Sequence, residues 1–119
     1  MMEISMARGD LVTNSFVVRD ADKNPYTESF DNIYFTVKRF ADDKNYKFQK
    51  RLSDGGIQSV GDGEYQFTIR PEDTDGLDFP FDYEFDIELV TEGKIKKTYC
   101  GILHLEKEVT HHYNEVTGT

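Results

Sequence analysis

At 119 residues and a formal net charge of −9, the chain has the length of one domain, and a chain of this size buries roughly two-thirds of its unfolded surface on folding. Its 37% hydrophobic and 13% aromatic content is too rich for a disordered chain, and its acidity argues against non-specific nucleic-acid binding, which needs Lys and Arg to release phosphate counterions. One cysteine makes no intrachain disulfide, no apolar run is long enough to span a membrane, and Met1-Met2-Glu3-Ile4 lacks the basic and apolar regions of a signal peptide, so the expectation is a protein not secreted by that route.

The dominant period along the chain is two, the signature of strands whose side chains point to opposite faces in turn. Leu11 to Arg19 reads as a weak second strand after a short N-terminal one, closed by Asp22-Lys23-Asn24-Pro25, where the proline fixes its own φ and keeps Asn24 extended. Ile33 to Phe40 follows with Ile33, Phe35 and Val37 inward. Beyond Asp42-Asp43-Lys44-Asn45 come two weak strands, Tyr46 to Leu52 and Ile57 to Val60, parted by Asp54-Gly55-Gly56. Gly61-Asp62-Gly63 leads into a clean strand, Glu64 to Arg70. Pro71 to Leu77 is the one helical turn expected: proline suits a first turn, Glu72 and Asp73 favour the positive end, and Gly76 sits where a C-terminal cap belongs. Leu77 then plugs the gap between sheets.

Phe81 to Leu89 alternates apolar and acidic residues without a fault. That pattern predicts one buried face and one solvated carboxylate face. A three-residue loop Thr91-Glu92-Gly93, with Gly93 left-handed, joins it to a long last strand, Lys94 to Glu106. This register pairs Leu89 with Ile95, Phe85 with Tyr99 and Glu88 with Lys96. The alternation fades towards the end, so residues 1–110 form the domain and 111–119 a tail. About seven strands and one helical turn over residues 71–77 define an all-β fold, an immunoglobulin-like antiparallel β-sandwich. With one Cys and no Trp it is not the antibody type. Tyr83, downstream of the helical turn, is placed for the corner tyrosine of such folds.

Motifs that suggest chemistry reduce to turns and surface. Asp20-Ala21-Asp22-Lys23-Asn24 opens like a calcium loop with Asp31 at its twelfth position, but Pro25 occupies the glycine turn and no helices flank it. Asp73, Asp75, Asp78 and Asp82 are the acids that a calcium site between loops would use, and also ordinary solvated acids near a helix start. His104, His111 and His112 are too scattered for zinc. Cys100 lies mid-strand without the surroundings of a reactive thiolate and reads as a small, buried or half-buried apolar residue. Gly61-Asp62-Gly63 carries an acid where a phosphate would sit, and Arg8-Gly9-Asp10 reads as a turn between two short strands. Neither a nucleophile elbow nor a distinct acid–base pair stands out. The expectation is a non-enzymatic protein with no cofactor and no resident metal.

Charge is more informative. Six of the 14 basic residues (Lys38, Arg39, Lys44, Lys47, Lys50 and Arg51) fall within 38–51, and eleven of the 23 acids fall within 62–92, where Arg70 is the only base. One basic end and one acidic wall suit end-to-side contacts between identical or sibling subunits. The last strand carries Tyr99, Cys100, Ile102 and Leu103, apolar on both faces, which an exposed edge strand avoids; the N-terminal strand or another chain should cover it. The candidate interface residues are Lys38, Arg39, Lys47, Lys50, Arg51, Asp82, Glu84, Asp86, Cys100 and Ile102.

The pieces in order resemble a known family. Arg8-Gly9-Asp10 leads into a strand, followed by Val18-Arg19-Asp20-Ala21-Asp22, the Asn24-Pro25 turn, Phe35-Thr36-Val37-Lys38 and Gly55-Gly56-Ile57. Gly63 to Ile69, Pro71-Glu72-Asp73-Thr74 with Gly76-Leu77, Tyr83 to Leu89 and Gly101-Ile102-Leu103 complete the series. Over about residues 4–110 the chain resembles the immunoglobulin-like domain that opens phage baseplate upper proteins and recurs in prophage tail genes of Gram-positive bacteria. The resemblance implies a structural tail protein whose partners are identical subunits or other tail proteins, as a homo-oligomer or mixed assembly, with neither nucleic acid nor membrane as partner. It also implies residence in the virion tail, or in the bacterial cytoplasm before assembly. Family members carry helical or receptor-binding parts behind this domain; here a short tail follows, which favours a scaffold or adaptor over direct receptor binding. A calcium- or carbohydrate-binding β-sandwich module using the acidic end loops is the alternative.

Overall fold

A computed structural model of the chain describes residues 2–107. Its elements are β1 (Met2–Ala7), β2 (Val12–Val17), β3 (Asn32–Lys38), β4 (Phe48–Arg51), β5 (Ile57–Gly61), β6 (Glu64–Ile69), α1 (Pro71–Thr74), β7 (Phe81–Thr91) and β8 (Lys94–Glu106). They form a five-stranded sheet in the order β1-β8-β7-β3-β4, packed on a three-stranded sheet, β2-β6-β5. The seven strands expected from Leu11 onwards are all present, and β1 is the N-terminal strand expected ahead of Arg8-Gly9-Asp10. Setting β8-β7-β3-β4 against β2-β6-β5 reproduces the immunoglobulin arrangement. The one departure from antiparallel pairing is β1, which runs parallel to β8 from Met2 opposite Gly101 to Ala7 opposite Glu106.

Period-two patterning builds the core between the sheets. Ile33, Phe35 and Val37 of β3, Tyr65, Phe67 and Ile69 of β6, and Tyr83, Phe85, Ile87 and Leu89 of β7 are all buried. Phe35 joins the layers: its ring centre lies 4.2 Å from that of Phe67 on the small sheet and 5.1 Å from that of Phe85 on its own. Tyr83 is fully buried, and its hydroxyl donates to the Asp78 carbonyl at 2.9 Å, the corner tyrosine of this fold class.

Local chemistry fixes the ends. At α1, the Asp73 carboxylate accepts the Arg70 N–H, while the buried Thr74 hydroxyl oxygen accepts the Gly9 N–H at 3.0 Å. That second bond ties Arg8-Gly9-Asp10, a turn as expected, to the helical turn. Leu77 is half-buried against the core, as expected. A Cβ at Gly101 would overlap the Phe85 ring and the Met2 carbonyl, so only glycine lets β1 lie this close to β8.

The β7–β8 hairpin corrects the expected register. Glu92 as well as Gly93 adopts positive φ (54° and 73°) and Thr91 pairs with Lys94, so the loop has two residues. Lys96 is then an extra residue, bulged between the Val90–Ile95 and Leu89–Lys97 pairs. In consequence Phe85 faces Gly101, Ile87 faces Tyr99, and Glu88 faces Thr98 rather than Lys96. The expected boundary at 110/111, the tail 111–119, His111 and His112 lie outside the described residues. The one helix among those described, of four residues, is too short to cross a membrane.

Candidate functional site

β7 is an interior strand, so its acidic face looks outward from the middle of the five-stranded sheet. Cross-strand register sets the neighbours. Glu84 lies between Ile102 and Lys38, Asp86 between Cys100 and Thr36, Glu88 between Thr98 and Tyr34, and Asp82 opposite His104. Lys38, Glu84, Asp86, Cys100 and Ile102, together with Thr36 and Ala41, line a shallow depression of about 100 Å³. Half of the ten candidate interface residues therefore converge on one spot.

Polar bonding here is incomplete. Arg51 Nε donates to Gln49 Oε1 at 2.6 Å, and Gln49 Nε2 donates to the Thr36 hydroxyl at 2.9 Å. The Ala41 N–H donates to Glu84 Oε2 at 2.9 Å. Asp86 Oδ1 is buried and has no partner. Burial pushes the Asp86 carboxyl above the ordinary carboxylate range, against the pull of Lys38. Glu88 is raised as well, chiefly by burial and further by the neighbouring Asp86 charge. Thus the carboxylate face is half-covered rather than freely solvated: neighbouring side chains on β3 and β8 wall it in.

The remaining candidates are dispersed. Asp82 and Arg51 stand at opposite ends of the same face. Arg39 pairs with Asp78 at 2.6 Å and covers the Phe81 ring; this pairing holds the Asp78 carboxyl below its usual range. Lys47, exposed at the entry to β4, adds to the same cluster. Lys50 is mostly buried and meets Asp73 at 2.6 Å. Two of the six bases of the basic hairpin, Arg39 and Lys50, thus pair with acids of the 62–92 segment within one molecule. Cys100 is exposed rather than buried, its side chain on the outer face beside Asp86.

His104 has a role that sequence spacing did not signal. Its Nδ1 meets Asp82 of β7 at 2.7 Å and its Nε2 meets Glu3 of β1 at 2.8 Å. These bonds, the Glu3 bond first, raise the imidazole above its ordinary value. Side chains on three adjacent strands are clipped at one point. The four acids of the calcium reading are not gathered: Asp73, Asp78 and Asp82 each face a cationic or imidazole partner, and among the described residues no group of three or more His, Cys, Asp or Glu side chains is placed to hold a metal ion. The fold and face together define an immunoglobulin-like sandwich with a half-covered acidic patch. No family model, no curated protein and no solved structure matches the chain.

Proposed function

We propose that the protein is a non-enzymatic structural subunit of a phage or prophage tail, near the baseplate, acting through protein–protein contacts on the outer face of its five-stranded sheet. Its partners are identical subunits or other tail proteins, and its place is the virion tail or, before assembly, the bacterial cytoplasm. The class of assembly comes from the ordered resemblance over residues 4–110. The observation that supports a contact surface is Asp86. A carboxylate with one buried, unpartnered oxygen costs free energy in the isolated molecule. A cationic side chain from a neighbouring subunit, entering between Cys100 and Thr36, would satisfy it with a charge-assisted bond. With Arg39 and Lys50 already paired within the molecule, this face is favoured over the end-to-side docking of poles.

Size-exclusion chromatography with light scattering tests the reading, on the protein alone over a wide concentration range and mixed with purified tail and baseplate proteins of the same phage or prophage. The expected result is a complex of defined mass that Asp86→Lys with Ile102→Glu abolishes while the monomer stays folded. A protein that is monomeric throughout and binds none of those proteins contradicts it.

A further inference from the structure

β8 has 13 residues, but β1 covers only Gly101 to Glu106. Lys94 to Cys100, apart from the bulged Lys96, pair with β7 on one side, and no strand among the described residues pairs with the other. That leaves about 23 Å of sheet edge with main-chain donors and acceptors facing outward. Lys94, Lys96 and Lys97 stand on it, all exposed, in a chain of net charge −9. The ion pairs among the described residues join Arg39 to Asp78, Lys50 to Asp73 and His104 to Glu3 and Asp82, so none neutralises these lysines. Beside the edge lies a groove of about 300 Å³, floored by Val18, Tyr26, Phe30 and Leu89 and rimmed by Arg19, Lys96 and Lys97, with Asp20 the only acid. Asp20 is engaged by the Asp22 and Asn24 N–H groups.

We infer that the uncovered half of β8 docks an extended, acidic segment of a partner protein, which adds to the sheet in line with β1. Main-chain bonds to the edge supply affinity, and alternate side chains read the two faces: carboxylates meet Lys94, Lys96 and Lys97, and an apolar residue enters the groove. Edge lysines repel indiscriminate pairing, and the same charges select an acidic strand. A second copy of the chain is the poorer occupant, since pairing two such edges brings six lysines together. This inference concerns an edge, not the Asp86 face, and stands without the tail-assembly reading.

The test is hydrogen exchange and fluorescence anisotropy on the full chain, with an acetylated nine-residue peptide of alternating glutamate and valine that carries a central phenylalanine. Controls are the same peptide N-methylated at every second residue, which keeps its charge but cannot add as a strand, and its lysine-for-glutamate counterpart. The expected results are new protection of amides within 94–100, binding about tenfold weaker or worse for both controls, and a similar loss in Lys94→Glu/Lys96→Glu/Lys97→Glu. Unchanged protection of the β3–β7 ladder verifies that the triple variant is folded. Equal binding of the N-methylated peptide, protection confined to other strands, or no binding overturns the inference. So does full protection of 94–100 in the protein alone: a concentration-independent signal would assign the edge to the chain's own residues, and a concentration-dependent one to a second copy.

Discussion

The two faces of β7 carry residues one position apart in sequence and meet opposite conditions. On the inner face, Tyr83, Phe85, Ile87 and Leu89 are closed off by the small sheet, and their contacts define the fold. On the outer face, Glu84, Asp86 and Glu88 have no layer above them among the described residues and are nevertheless half-buried, because β3 and β8 flank them. Alternation tells which side chains share a face. How much water reaches a face depends on where the strand sits in its sheet, and that is set by partners distant in sequence.

The largest effect should come from the inner face. Phe35→Ala opens a void where both sheets meet, and cavity formation of this kind costs about 3–5 kcal/mol; urea unfolding should show a large fall in midpoint or loss of the cooperative transition. Tyr83→Phe keeps the ring and removes only the hydroxyl bond to the Asp78 carbonyl, a loss of about 1–2 kcal/mol. Asp86→Val on the outer face should act in the opposite direction. It removes a desolvated, unpartnered carboxylate and stabilises the monomer by about 1 kcal/mol, read as a higher urea midpoint with unchanged slope.

The smallest effect is a pH dependence shared between regions. Asp86 and Glu88 are raised by burial, so the fold favours their protonated forms and their penalty grows as pH rises through those folded values. His104 is raised by its carboxylate neighbours; its contribution is complete below the ordinary imidazole value and is lost as pH rises through the folded one. Asp78 is lowered, so its contribution holds above the ordinary carboxylate range and is lost as pH falls. Stability should therefore be greatest in mild acid, roughly pH 5 to 6.5. Urea midpoints at several pH values for the parent and for His104→Gln check this: the variant should lose part of the decline above neutrality.

All seven expected strands, the helical turn and the corner tyrosine were legible, because each rests on local pattern and the core needs every one of them. The hairpin register was not. A two-residue loop of this kind, with positive φ at both positions, favours Asn or Asp before the Gly, and Glu92 does not advertise it as they would, while nothing local marks the bulge at Lys96. The internal pairing of Lys50 with Asp73 and Arg39 with Asp78 was equally hidden, since it follows from strand order rather than spacing. Sequence reading gathered Lys38, Glu84, Asp86, Cys100 and Ile102 as candidate interface residues; sheet register alone makes them one depression. Its view of β8 as apolar on both faces was sound where β1 covers the strand, and it missed that seven residues stay uncovered.

Site-resolved carboxyl titration by NMR tests the central claim most directly, that Asp86 sits desolvated and unsatisfied on an otherwise accessible face. Asp86 should titrate above the ordinary aspartate range. An Asp86 carboxyl titrating within that range, or below it, would mean a solvated or already partnered group and would remove the basis for a contact surface there.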